Sequence, residues 1–183
     1  MRETLPASRI FGFRGVVNTT TNHILTAIER GESFEHALSA MQEAGVAEAN
    51  PSHDLEGWDA AAKTAALANV FLDAGITPHD IARDIVGPET APRVRAALAG
   101  GRRLKLVARA ARHGSGIDAA VELRDLEPTD PLAILDGDSN ALEIDTWPAG
   151  RIVITQRDSG LEKTAYALLS DLVTVVKRVR ARA

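Results

Sequence analysis

The 183 residues contain no cysteine. That excludes disulfides, thiolate metal sites and cysteine nucleophiles, and it is compatible with a reducing cytoplasm. Long apolar runs are also missing, and Met1 to Pro6 has no apolar core behind a positive patch. Neither membrane spanning nor export is supported, and a cytoplasmic location is the expectation. Excess positive charge is lacking too: 21 Lys and Arg stand against 25 Asp and Glu, a formal net charge of -4. Without a basic surface there is no electrostatic reason to expect nucleic acid or an anionic membrane as partner. His23, His36, His53, His79 and His113 are scattered, no pair has the spacing of a zinc helix, and no metal is expected. No Gly-x-Gly-x-x-Gly following a first strand precedes Gly15, so the usual cradle for a dinucleotide pyrophosphate is not encoded there.

What is present is an ordinary globular balance, 45% hydrophobic and 25% charged, in a length that suits one domain. Arg9 to Val17 reads as a strand, with Gly12 and Gly15 where backbone must pass close to backbone. Thr19, Thr20 and Thr21 offer caps to a helix carrying Ile24, Leu25 and Ile28, and Ser33 opens a second one ending at Gly45. Residues 46 to 57 form a polar, punctuated loop that feeds an alanine-rich helix from Trp58 to Ala74. Thr77-Pro78 starts a short helical piece through Ile85, and Pro88 to Leu98 gives another. Alternation then predicts strands over 103–112 and 117–126 about a Gly-Ser-Gly turn, followed by strands over 141–147 and 151–155. A helix from about Leu161 to Val179 ends in Lys177, Arg178, Arg180 and Arg182, where positive charge complements the dipole. Strands at both ends with helices between them suggest an α+β sheet covered on one face.

The chemistry concentrates in residues 47–63. Asp59 and Lys63 are four apart on one helix, so they are neighbours on one face, roughly 5 to 6 Å between Cβ atoms. Spacing alone describes a solvated salt bridge. This helix, however, is otherwise almost all alanine and apolar, and the loop before it adds the acids Glu48 and Asp54. Lys63 is suited to exchanging a proton with a substrate oxygen while Asp59 holds the ammonium. The acids could receive a cationic amino group, although Asp54 near the helix start equally serves the dipole and the cap.

Ala47-Glu48-Ala49-Asn50-Pro51, then Asp54, then Gly57-Trp58-Asp59 and Lys63 resemble the signature of the homoserine dehydrogenases. Gly15 to Leu25 is similar to that family's strand-to-helix motif, with Thr19 in place of a glycine and His23 in place of a tyrosine. Asp130-Pro131-Leu132-Ala133, Asn140-Ala141, Gly160 and Asp171-Leu172 are similar to its closing segments. The resemblance implies an α+β fold of the family's catalytic-domain type. That means a mixed, largely antiparallel sheet packed against helices, similar to the C-terminal domain of glyceraldehyde-3-phosphate dehydrogenase. It implies Lys63 as proton donor and acceptor, Asp59 as its partner, Glu48, Asp54 and Thr20 at the substrate, and Gly160 towards the cofactor.

The implied activity interconverts L-homoserine and L-aspartate 4-semialdehyde with NAD or NADP, in the route to threonine and methionine. The nucleotide-binding domain is expected to lie outside these residues. The chain is then a fragment, the partner of a separately encoded nucleotide-binding chain, or a non-catalytic amino-acid-binding module descended from the enzyme. A homodimer through the sheet is also expected, because a half-covered sheet leaves a face or edge to be buried or blunted.

Overall fold

The computed structural model describes residues 7–114, 116–157 and 161–180. One sheet organises them, in the order β2-β4-β3-β1-β5-β6. Its strands are β1 (Arg9–Val16), β2 (Ala82–Arg83), β3 (Arg103–His113), β4 (Gly116–Leu126), β5 (Asn140–Trp147) and β6 (Gly150–Gln156). All neighbours are antiparallel except β2, which runs parallel to β4. The helices are α1 (Thr19–Glu29), α2 (Phe34–Glu43), α3 (Ser52–Leu55), α4 (Trp58–Leu72), α5 (Ala91–Ala99) and α6 (Leu161–Arg180). The α+β architecture expected from the sequence is therefore the observed one.

Alternation along β3 sorts the two faces of the sheet. Leu104, Leu106 and Ala108 join Ile24, Leu25 and Val94 in the main core, beneath the helices. Val107 turns the other way and meets Val16, Leu132 and Leu135, so the connection between β4 and β5 folds over that second face. Beyond this cover the second face carries charges that pair with one another, Arg14 with Glu143 and Asp130, and Arg109 with Glu122 and Asp118. Gly15 is needed where β1 and β5 cross closely, because a Cβ there would collide with the Ala141 carbonyl oxygen.

Three local expectations are corrected. Residues 77–85 are not one helical piece: a single 3-10 turn, Pro78–Asp80, gives way to β2. Asp80 closes that turn by accepting from the Thr77 amide and hydroxyl at 2.8 and 2.7 Å. Asp84 then donates its amide to the Val121 carbonyl and accepts from the Leu123 amide, both at 2.8 Å. The open edge of β4 thus outcompetes a marginal helix. The loop at 46–57 contains the one-turn helix α3. And α1 is capped by Asn18, whose side chain accepts from the Thr21 amide at 2.8 Å, rather than by the threonines.

Among the described residues no helix is long and apolar enough to cross a membrane, and no group of three or more His, Cys, Asp or Glu is placed to hold a metal ion.

Candidate active site

The site forms where β1 ends. Asn18 follows the strand and spends every polar group of its side chain. Its Oδ1 caps α1, accepting from the Thr21 amide and hydroxyl, while its Nδ2 donates to Asp54 Oδ1 and to Asp59 Oδ2, all at 2.8 Å. Thr20, the second residue of α1 and buried, donates its hydroxyl to Asp54 Oδ2 at 2.7 Å. Asp54 therefore does not cap a helix: it reaches across to α1. Gly57 makes that reach possible, because its φ of 76° lets α3 turn directly into α4, so that Asp54 and Asp59 face the same asparagine.

Lys63 lies one turn beyond Asp59 and pairs with its Oδ2 at 2.7 Å, while also donating to the Val17 carbonyl at 3.0 Å. A hydrogen-bonded line thus runs from Thr20 through Asp54, Asn18 and Asp59 to Lys63. Half of the Lys63 side chain is exposed, yet its ammonium is tethered at both the helix and the strand.

Two cavities meet at this line. One, of about 410 Å³, is walled by Glu48, Asn50, His53, Asp54, Trp58 and Asp59. The other, of about 520 Å³, is walled by Val17, Thr19, Lys63, Asn140 and Ile154, with Lys163 and Ala167 of α6 across from them. The structure accordingly brings Glu48, Asp54 and Asp59 to one chamber and turns Lys63 into its neighbour, the Asp59–Lys63 ion pair linking the two. Glu48 is exposed at the rim, and Gln42 Nε2 holds its main-chain carbonyl at 3.2 Å. Gly160 lies outside the described residues.

Sequence reasoning passed over Asn18 as a site residue. Its position between a strand and a capped helix was the available signal, but its bonds to two carboxylates depend on tertiary contact. Trp58 carries the Arg83 guanidinium 3.3 Å above its ring, meets His79 edge-on, and walls the acidic chamber.

Fold and site together define an α+β protein built on an open, largely antiparallel sheet, with a carboxylate chamber beside an Asp–Lys pair. The family model described as homoserine dehydrogenase matches residues 1–173. An NAD(+)-dependent homoserine dehydrogenase of Pseudomonas canavaninivorans is 36% identical over 95% of this chain and 50% of its own length. A homoserine dehydrogenase of Sulfurisphaera tokodaii is 37% identical over 92% of this chain and 51% of its own. The crystal structure of a homoserine dehydrogenase from Thiobacillus denitrificans superposes with a TM-score of 0.88 at 32% identity, over 98% of this chain and 42% of that one. The chain belongs to the homoserine dehydrogenase family of oxidoreductases, and it spans about half the length of the relatives it matches.

Proposed function

We propose that this chain is the substrate-binding and catalytic half of a cytoplasmic homoserine dehydrogenase, interconverting L-homoserine and L-aspartate 4-semialdehyde with NAD or NADP for threonine and methionine synthesis. The observation that carries the reading is the line from Thr20 to Lys63, which joins two separate sequence motifs into one polar construction. Glu48 and Asp54 hold the substrate ammonium in the acidic chamber. Lys63 acts on the hydroxyl: as the neutral amine it takes the hydroxyl proton during oxidation, and as the ammonium it returns that proton to the carbonyl oxygen during reduction. Asp59 keeps Lys63 aimed and compensates its charge.

The cavity beside Lys63 fits the nicotinamide end of the cofactor. Val16, Val17, Leu142 and Ile154 offer apolar walls, and Asn140 Oδ1 is a buried acceptor that no donor among the described residues satisfies. A nicotinamide held there by Asn140 and the apolar walls would supply the acceptor for the hydride leaving the carbinol carbon, as Lys63 takes the hydroxyl proton. The rest of the dinucleotide needs a nucleotide-binding half, in the same polypeptide or in a separate chain. Helix α6 supports this: Leu168, Leu172, Val176 and Val179 are all exposed, on an element that also walls the Lys63 cavity.

Calorimetry with homoserine tests the reading. Binding by the chain, weakened by Glu48→Gln and strengthened by NAD(P) only when a nucleotide-binding half is added, is the expected result. No binding of homoserine in either condition would overturn it. Binding that is undiminished in Lys63→Ala, with no turnover in any reconstitution, would instead favour the non-catalytic amino-acid-binding module. We further infer a homodimer through the uncovered part of the sheet, and light scattering that finds a monomer at micromolar concentration would reject it.

A further inference from the structure

Lys105 is wholly buried, the largest side chain so enclosed among the described residues, and the reading above gives it no task. It stands on β3 on the face covered by the connection between β4 and β5. Its Nζ donates to Asn22 Oδ1 at 2.9 Å and to the Leu135 carbonyl at 2.6 Å. Asn22, also buried, gives its own Nδ2 to the carbonyls of Gly137 at 3.0 Å and Ser139 at 3.2 Å. On either side of Asn22 the same bonding continues. Thr26 Oγ1 accepts from the Gly137 amide at 3.3 Å, His23 pairs with Asp138, and Asn140 Nδ2 donates to Thr19 Oγ1 at 3.1 Å. Thr19, Asn22, His23 and Thr26 are spaced i, i+3, i+4, i+7, so they form one stripe of α1. On an ordinary surface helix that stripe would face water; here it is a seam along residues 137–140.

The seam ends at the site. Thr19 and Asn140, its last pair, wall the cavity that holds Lys63, and Thr19 adjoins Asn18 and Thr20. The centre of the seam is the Lys105 Nζ, which bonds a buried side-chain oxygen and a main-chain oxygen together. Without it both acceptors would be left unsatisfied, the costly half of a broken buried hydrogen bond. We propose that Lys105 is a positioning residue for the site: it fixes Asn22, Asn22 fixes residues 137–140, and that segment sets Thr19 and Asn140 in the wall beside Lys63. This rests on the functional reading above for what the wall is used for, but the latch itself can be measured without it.

The experiment compares amide hydrogen exchange and homoserine calorimetry in the full chain, Lys105→Met, Asn22→Asp and a control, Val94→Ala, which loosens the core under α5. Asn22→Asp keeps an acceptor for Lys105 but loses both donors to residues 137 and 139, so it probes the latch even if Lys105→Met does not fold. Losing a buried partner is worth ~10-fold or more in local opening. Exchange over residues 19–23 and 137–140 should therefore accelerate by about that factor in both latch variants, while the hairpin of β3 and β4 changes less. Homoserine affinity should fall ~10-fold in the latch variants, because Thr19 adjoins Asn18 and Thr20, which hold Asp54 in the acidic chamber, and should stay unchanged in Val94→Ala. Uniform acceleration along the chain, unchanged protection at 137–140, or unchanged homoserine affinity despite a loosened seam would each overturn the proposal. A wild-type chain that does not bind homoserine refutes the substrate reading, while the exchange pattern still decides whether the latch exists.

Discussion

Helices α4 and α6 carry opposite messages about hydrophobicity. In α4 the buried residues are small: Ala60, Ala61, Thr64, Ala65 and Ala68, with Leu72 at the end. They let the helix lie close against the sheet, and this closeness holds Asp59 and Lys63 within reach of Asn18 and Val17. Helix α6 is built from larger apolar residues, yet Tyr166 is 71% exposed, Leu168 69% and Leu172 60%. Burial is thus set by what lies alongside a helix rather than by how apolar its side chains are. On the proposed reading the comparison also divides labour, α4 completing the site within this chain and α6 being the surface proposed for a nucleotide-binding half.

The largest expected effect falls on the polar end of α4. Once the chain is joined to a nucleotide-binding half, Lys63→Ala should lower turnover by ~10²- to 10⁴-fold in initial-rate measurements. A loss of stability with turnover intact would reduce Lys63 to a surface salt bridge. At the apolar end of the same helix, Leu72→Ala should destabilise the isolated chain by about 2–5 kcal/mol in denaturant melts, since Leu72 is fully enclosed.

Next comes the seam at Lys105. Burial pushes its ammonium down to about 8 from an ordinary value of 10.5; Glu29 and Asp136 oppose the shift and Arg103 assists it. Between these two values the unfolded chain holds the proton and the folded chain does not, so the unfolded state binds more protons. Stability should therefore rise with pH across that window, by up to about 3 kcal/mol from this group. Melts from pH 7.5 to 10.5 should show the rise in wild type and lose it in Lys105→Met; a fall with pH in both would contradict the burial effect.

Asn18→Ala removes the cap of α1 and should cost about 0.5–2 kcal/mol, readable in the same melts. It should also weaken homoserine binding, because Asp54 and Asp59 lose their common donor. The smallest effect is expected on α6. Leu172→Ala should change the stability of the isolated chain by less than about 0.5 kcal/mol, since its side chain is exposed, yet weaken its association with a nucleotide-binding half in a titration. Equal destabilisation by Leu72→Ala and Leu172→Ala would break the contrast between the two helices.

Most elements were legible because their signals are local. Helical spacing in residues 24–28 and alternation in residues 103–126 express the geometry of one element, and the chain kept them. Residues 77–85 were misread because β2 exists only when the edge of β4 is present to pair with it. Within the site, Asp59 and Lys63 could be paired from sequence, since four residues of α-helix bring two side chains together whatever surrounds them. Asn18 could not be placed. Its bonds to Asp54 and Asp59 span 36 and 41 residues and depend on the angle at which Gly57 turns α3 into α4.

The sequence by itself determined most of the elements, the Asp–Lys pair and the sheet strands whose one-sided patterning demands a core. Only the tertiary structure decided that Asp54 serves α1 rather than its own helix, that the polar stripe of α1 is a seam around a buried lysine, and that α6 stands uncovered. Spacing along the chain fixes neighbours within an element. Contacts between elements are selected later, by which packing of the whole chain buries the most apolar surface while leaving the fewest polar groups without partners.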